Sequence, residues 1–490
     1  MPKIHYFKIP AMIGISLLLF GCATTRNTLF EEADKAAMEA DFLRAATALE
    51  DNKNRIYSST DGVLYYLDTG LLYHRGAEPQ QAIERLERAE LLIEEYFTQN
   101  MSQAATSILL NDTTMNYDGE DFEDIYLNLF KSLSYIELGD SDAAMVEIRR
   151  FTNKLNLLED KYKQHIDEIT SVDDVDKMEG GEEIKDANLD PSDIQINVET
   201  VDSRFHNSAL ARYLGMVLRR ADGDLDGVRI DYEQLQSAFD TQASIFDFNN
   251  PIGPESVNNP DSARVSVLGF SGKSPIKQAQ TLWVTTQTNM ITIAYAAEHE
   301  HLGRVPQGFL SFPWPGVPGG QRFKFEIPRL LLRGSDVTDI RVYANNELLG
   351  ELALLENMEQ IALEAFRVKE PFIFLRSVTR TILKGIAGYY ARQAITEAAE
   401  RAGGGGLGFL AGLAGSLATD LALDASEQAD LRISRYFPAY AHVGEWDIDE
   451  GLYDFRVEFY NGDQLLHTDT HEELWISEQG PNVISSMLYQ

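Results

Sequence analysis

The chain divides into two halves by its pattern of hydrophobic and polar positions. From about residue 29 to residue 239, apolar residues recur at helical spacing, and the helical stretches come in pairs. After about residue 251, short segments of alternating apolar and polar residues, rich in β-branched and aromatic side chains, indicate strands. We therefore predict an α+β multidomain protein, with a helical solenoid followed by an antiparallel β domain.

The helix pairs carry small and aromatic residues at the spacing where tetratricopeptide repeats place their packing residues. Gly70 and Ala82 would let two helices approach closely, and Tyr73 would fill the gap between them. The spacing between units is irregular, which excludes a strict array of about 34 residues per repeat. A tetratricopeptide-like α-solenoid commonly binds a peptide or partner helix on its concave surface, although these helices could instead only brace the rest of the chain. The predicted packing or partner-binding positions are Tyr66, Gly70, Tyr73, Ala82, Tyr135, Ala144, Gly215 and Leu218.

In the second half, turn residues separate the predicted strands. Asn345 and Asn346 stand between two apolar segments and indicate a hairpin. Asn461 and Gly462 predict a type I′ turn within a last strand group at 439–476. The earlier predicted strands cover residues 265–270, 281–295, 323–327 and 337–351.

A helical interruption is expected between the two strand groups, over residues 357–431. It carries Arg376, Arg380 and Lys384 at i, i+4 and i+8, a basic stripe on one helix face. The stripe would pair with acidic groups of this chain or contact an anionic partner. A Gly-rich loop follows at 403–406, and the apolar run 407–423 would complete a buried or interfacial helical hairpin or enter a membrane.

The N-terminus has the features of a bacterial lipoprotein signal. Lys3 and Lys8 precede an apolar stretch that is too short to span a bilayer comfortably. Gly21 precedes Cys22, the only cysteine. We expect cleavage before Cys22 and acylation of that residue with chains such as palmitate, which leaves no disulfide. Ala23 is not the aspartate typical of inner-membrane retention. We therefore expect a lipid anchor in the outer membrane, with the periplasmic face favoured over the cell surface; an ordinary secretory signal is the alternative.

The predicted boundaries follow changes in composition. Residues 167–202 are dense in Asp and Glu with few large apolar residues, and residues 249–260 are rich in Asn, Pro and Gly. The predicted organisation is a signal peptide at 1–21, a lipidated tether at 22–28, a helical domain at 29–248 with a disordered acidic insert at 167–202, a linker at 249–260, a β-rich region at 261–356, the helical insertion at 357–431, and a β-rich region at 432–490 that completes the sheet.

Charge and motifs narrow the class of function. The formal net charge of −35 repels nucleic acid and anionic headgroups, so neither is expected as a partner. Gly272-Lys273-Ser274 is similar to the end of a P-loop, but Val267 stands where the first glycine belongs. We predict no enzymatic activity and no cofactor.

One histidine cluster is compatible with a metal. His467, Asp469 and His471 alternate on one predicted strand face, a pattern that suits zinc ligation. A solvated strand end is the favoured interpretation, so these residues are retained only as weak metal candidates.

Several segments occur in the order found in an uncharacterised family of bacterial lipoproteins, which the chain resembles over most of its length. The resemblance implies tetratricopeptide-like repeats followed by a β-rich domain, and it brings no established activity, substrate or catalytic residue. The acidic insert and the long Gly-rich segment depart from the family pattern. The segments that carry the resemblance are residues 119–150, 211–235, 265–277, 354–394 and 429–448.

Together these features predict a lipid-anchored interaction scaffold of the cell envelope, whose helical repeats bind another envelope protein. The alternative is a cell-wall or small-ligand binding protein that uses the C-terminal β domain, with the basic stripe as a contact for an anionic polymer. The sequence leaves the partner, the biological process and the oligomeric state open.

Overall fold

The computed structural model describes residues 22–106, 111–158, 204–259, 262–299, 303–313, 317–401 and 428–490. Within these ranges the chain is a mixed α and β fold with ten helices and three four-stranded sheets, consistent with the predicted α+β class. The predicted signal peptide, the acidic insert at 167–202, the Gly-rich loop and the apolar run 407–423 lie outside the described residues.

Most of the helices precede the first strand. Residues 22–28, predicted as a tether, are helical instead, because α1 begins at Cys22 and no Gly or Pro interrupts it. The helices are α1 Cys22–Met38, α2 Phe42–Asp51, α3 Lys53–Ile56, α4 Gly62–Arg75, α5 Pro79–Thr106, α6 Asp121–Glu137, α7 Ser141–Leu157, α8 Ala209–Ala221, α9 Leu225–Thr241 and α10 Met358–Arg401.

Helices pack in sequential pairs where the sequence places small residues. A β-carbon added at Gly70 would lie 2.8 Å from Leu86 Cγ, so the glycine is required for the close approach of α4 and α5. The same applies to Gly215 on α8, where an added β-carbon would meet an Asp231 carboxylate oxygen at 2.7 Å. Of the eight predicted positions, Tyr66 and Tyr135 are half-buried against the core and the others are buried.

Glycines form the turns inside two of the helix pairs. Gly139 and Gly223 adopt positive φ values of 76° and 75°, which glycine tolerates without strain. The aspartates that follow are helix N-caps: Asp140 accepts a hydrogen bond from the Ala143 amide, and Asp224 accepts one from the Gly227 amide.

The strands form three sheets. The first has the order β12-β1-β9-β8, the second β11-β10-β6-β7 and the third β4-β3-β2-β5. The strands are β1 Ala263–Ser271, β2 Ile276–Gln287, β3 Met290–His299, β4 Gly303–Pro313, β5 Arg322–Leu331, β6 Asp339–Ala344, β7 Glu347–Glu351, β8 Ala353–Asn357, β9 Tyr440–Ile448, β10 Gly451–Asn461, β11 Gln464–Ile476 and β12 Asn482–Leu488.

Three strand details differ from the expectation. The region 281–295 is not one strand but the hairpin of β2 and β3, because Asn289 takes a positive φ of 60° and turns the chain. Only Gly462 has positive φ in the β10–β11 turn, so the turn is not the predicted type I′, which needs positive φ at both central residues. β12 is parallel to β1, since it crosses over from the second sheet rather than following a hairpin. The hairpin at Asn345 and Asn346 is present, with positive φ at both residues.

The first sheet is the middle layer of the molecule. Val265 and Val267 of β1 face the second sheet and share a core with Val457 and Phe459 of β10. Alternate residues such as Phe270 face the helices, and their core is continuous with that of α1 to α9. The helical region, the first sheet and the start of α10 (residues 358–365) therefore share one hydrophobic core. α10 leaves β8 directly and also packs on β5 of the third sheet.

Candidate functional site

Residues 428–439, which we call the connector, follow the undescribed segment and lie as non-helical chain against the helices. Its side chains Tyr436 and Phe437 are buried, and the Phe437 ring packs edge-on against Phe122 and Phe130 of α6. The helical surface that could have received an external peptide is therefore occupied, over this stretch, by the chain itself.

Carboxylates from three helices hold the connector. Asp34 of α1 forms an ion pair with Arg435 and accepts a hydrogen bond from the Tyr436 hydroxyl. Asp68 of α4 accepts from the Ser434 hydroxyl at 2.7 Å, and Glu123 of α6 accepts from the Ser434 amide at 2.5 Å. These contacts resemble those by which a helical groove binds an extended peptide.

Two of these carboxylates are deeply buried, and their acidity changes accordingly. Burial raises the pKa of Asp68 to about 6, against the opposing effect of its hydrogen bonds from Ser434 and Arg435. Burial, together with the neighbouring Glu120 carboxylate, raises the pKa of Glu123 to about 7. Attachment of the connector to the helices is therefore sensitive to pH.

The predicted basic stripe on α10 points into the protein at its first two positions. Arg376 Nη1 lies 2.6 Å from Asp112 Oδ1, and Arg380 Nη1 lies 3.5 Å from Asp112 Oδ2; both arginines are buried. Burial alone would raise the pKa of Asp112, but the two guanidinium groups lower it. For these two arginines, pairing within the chain is the correct interpretation. Lys384 is half-buried farther along the same helix.

A second ionic contact beside the stripe joins the helices to the third sheet. Lys277 of β2 and Lys369 of α10 approach the same oxygen of Glu120, at 2.5 Å and 3.4 Å. Glu120 is also the N-cap residue of α6. The cavity among these groups has a volume of only about 70 Å³, so the cluster acts as a structural joint rather than a ligand site.

The histidine cluster on β11 does not form a metal site. His471 Nε2 lies 2.9 Å from Ser486 Oγ and 3.5 Å from Asp469 Oδ2, while the His467 ring packs against Phe459. A catalytic Ser-His-Asp arrangement uses a different ring nitrogen for each partner, whereas here both face the same one. Among the described residues, no group of three or more His, Cys, Asp or Glu side chains is arranged to hold a metal ion.

A concave surface lies between the helices and the β11–β12 corner, and we call it the cleft. Its volume is about 650 Å³, within the range of small-molecule sites. Phe42, His74, Arg75 and Glu137 line the helical side. The sheet side includes Asp469, His471, Trp475 and Ser486.

Arg75, the last residue of α4, lines the cleft without a polar partner. All three of its guanidinium nitrogens are buried and make no hydrogen bond within the described part of the chain. The guanidinium carbon is 5.9 Å from the centre of the Phe42 ring. Burial lowers the pKa of Arg75 to about 9, so the group is still charged at neutral pH.

Two other ionisable groups, His74 and Glu137, line the helical side. His74 Nδ1 lies 2.9 Å from Ser134 Oγ and 3.7 Å from Glu137 Oε1. Burial lowers the pKa of His74 to about 3. Burial raises the pKa of Glu137 to about 8. On the sheet side, burial would raise the pKa of Asp469, but the hydrogen bond with His471 lowers it, so this carboxylate is ionised.

No pattern in the sequence indicates this cleft. A basic residue in the last turn of a helix, such as Arg75, ordinarily indicates a favourable interaction with the helix dipole. Glu137, the last residue of α6, has no distinctive spacing in the sequence. Both residues become candidates only when the helices and the sheet corner are brought together.

Comparison with protein-family models, curated proteins and solved structures finds no match for the chain. In the described ranges, no helix combines the length and the apolar character that crossing a membrane requires.

Proposed function

We propose that this protein is a lipid-anchored, non-enzymatic binding protein of the bacterial cell envelope, and that its partner docks at the cleft. The anchor is Cys22, in the outer membrane, and the helix pairs are a tetratricopeptide-like solenoid. This proposal keeps the interaction scaffold predicted from the sequence but moves its docking surface. The observation that carries it is that the connector already fills the helical surface formed by α1, α4 and α6.

Several features of the cleft support a role in binding. It lies between two structural parts, where ligand sites often occur, and both aromatic rings and polar groups line its walls. Trp475 at the rim of the cleft is 61% exposed. Tryptophan is enriched among the residues that contribute most of the binding energy at protein interfaces. The repeats then brace the sheet that forms the second wall.

In-cell photo-crosslinking tests the docking surface. A photoreactive phenylalanine analogue replaces Trp475 at the cleft in one strain and Leu348 on β7 in another. Leu348 is a matched control because it is 58% exposed and lies on β7, at the opposite edge of the second sheet from β11. We expect a covalent adduct with one dominant envelope protein from position 475 and none from position 348.

Two results would contradict the proposal. An adduct from position 348 alone would place the docking surface at the β7 edge of the second sheet, away from the cleft. Absence of any adduct from position 475 would remove the cleft as the docking surface.

The volume of the cleft also favours a second candidate function, the binding of a small ligand with the β domain as one wall. The anionic-polymer contact through Arg376 and Arg380 has no comparable support, because both are buried and paired with Asp112.

A further inference from the structure

We infer that Arg75 is an anion-binding anchor and that the cleft takes a ligand bearing a single carboxylate on an otherwise uncharged, partly apolar body. This inference rests on the proposed use of the cleft and specifies its chemistry. The carboxylate would come from a small organic acid or from the C-terminus of a partner peptide.

No described residue forms a hydrogen bond with the Arg75 guanidinium. A buried charge that lacks a partner destabilises a protein strongly, and arginines in a last helical turn usually donate to nearby carbonyl groups. Here the free carbonyls at the end of α4 are used by the chain itself, since the Gly76 amide donates to Leu72 and the Ala77 amide donates to His74. An acceptor from outside the chain would complete the hydrogen bonds of Arg75.

The N–H donors of Arg75 have a geometry that suits a carboxylate. A guanidinium presents parallel N–H groups that match the two oxygens of a carboxylate. Arg75 lines the cleft, and its guanidinium nitrogens make no hydrogen bond among the described residues. Glu137, the carboxylate of the helical wall, makes no hydrogen bond with this guanidinium.

The charges around the cleft limit the ligand to one negative charge. Asp469 is an ionised carboxylate on the sheet wall of the same cleft, and it would repel a second anionic group. The net charge of −35 also disfavours a polyanion. The rings of Phe42 and Trp475 provide contacts for the apolar part of the ligand.

Matched pairs of probes test the inference on the full-length, detergent-solubilised protein by titration calorimetry and thermal unfolding. The small-molecule pair is 3-phenylpropionate and 3-phenylpropionamide. The peptide pair is an acetylated tripeptide ending in phenylalanine, as the free acid and as the amide. We expect an acid to bind at least tenfold more tightly than its amide, and the pair with the tighter acid identifies the source of the carboxylate.

The variant Arg75→Met should lose this preference for the acid and should raise the unfolding temperature of the ligand-free protein, because an unpaired buried charge is removed. Arg75→Lys should retain part of the preference. Arg149→Met, which removes an exposed arginine on α7, should change neither quantity.

Three results would overturn the inference: equal binding of acid and amide, binding of neither, or an Arg75→Met variant that is less stable and still prefers the acid. Its failure can be distinguished from failure of the proposed function. If partner crosslinking from position 475 persists in Arg75→Met, the cleft still docks a partner but does not use this anchor.

Discussion

Buried carboxylates are the residues on which the connector depends. Asp68 and Glu123 reach the same residue, Ser434, from two different helices, and each also accepts a hydrogen bond from a buried tyrosine hydroxyl, Tyr57 or Tyr117. Such groups are stable in a low-dielectric interior only while their hydrogen bonds are complete. The protonation of these two side chains therefore affects the stability of the whole fold.

We predict that stability falls between pH 5 and pH 8. The folded-state pKa of Glu123, about 7, is above its ordinary value of 4.5, so this group's stabilising contribution is complete below pH 4.5 and is lost as the pH rises through 7. Asp68 acts in the same direction. Urea unfolding of the wild type should show a loss of about 2–3 kcal/mol from Glu123 over this range.

The variant Glu123→Gln provides the control, because it cannot ionise and keeps one acceptor oxygen. Its free energy of unfolding should decline less steeply between pH 5 and pH 8. A decline as steep as that of the wild type would show that Glu123 is not the titrating group.

For single residues, the sequence predicted the roles that depend on neighbours close in the chain. The spacing of Gly70 and Ala82 predicted their packing role, and Asp140 and Asp224 follow turn chemistry within a few residues. The partners of Arg376 and Arg380 could not be predicted, since Asp112 lies more than 260 positions away in the chain. Neither could the unpaired state of Arg75, because spacing alone cannot show that an acceptor is missing.

Helix pairs are the elements that the sequence described best. Their close packing depends on the absence of a side chain at one position of each contact, as at Gly70 against Leu86. The matching glycine of a turn, Gly139, has open space around it and needs only its positive φ. Gly70 is therefore required for close packing, whereas Gly139 is required for its backbone conformation.

We predict that Gly70→Val destabilises the protein by about 1–3 kcal/mol, because the new side chain overlaps Leu86 in a packed interface. Gly139→Asn should cost less than about 1 kcal/mol, since asparagine tolerates positive φ and meets no neighbour. Chemical denaturation followed by circular dichroism at 222 nm measures both. Similar losses in the two variants would contradict the packing role of Gly70.

The connector was the element that pattern recognition missed. The sequence placed residues 428–431 at the end of a helical hairpin, but those residues are non-helical. The next residue, Arg432, donates to the carboxylate of Asp61, the N-cap residue of α4, and to the Asp112 carbonyl. A segment with neither helical nor strand periodicity has no pattern of its own. Its conformation is set by carboxylates that come from distant helices.

At the scale of the whole molecule, the helices and the first sheet are one folding unit. Phe130 of α6 packs against both Phe270 of β1 and Phe437 of the connector. The pattern of hydrophobic residues correctly separated a helical half from a strand half. It could not show that both halves share a core, because each pattern describes only which face is apolar and not what covers it.

We predict that the two halves unfold together. All four tryptophans lie in the strand half, at or after Trp283, so tryptophan fluorescence reports on that half, while circular dichroism at 222 nm reports mainly on the helices. The urea midpoints from the two probes should coincide. Two separate midpoints would show that the helices and the sheets are independent domains.

The connector also has a consequence for the order in which the chain can fold. Its Ser434 is 311 positions from Glu123 and 366 positions from Asp68. A ribosome delivers the helices long before it delivers the segment that satisfies their buried carboxylates, and contacts of such sequence separation form slowly. During that interval the nascent helices expose an acidic and apolar surface that is open to chaperones and to aggregation. A truncation just before residue 428 would therefore damage a region that was translated hundreds of residues earlier.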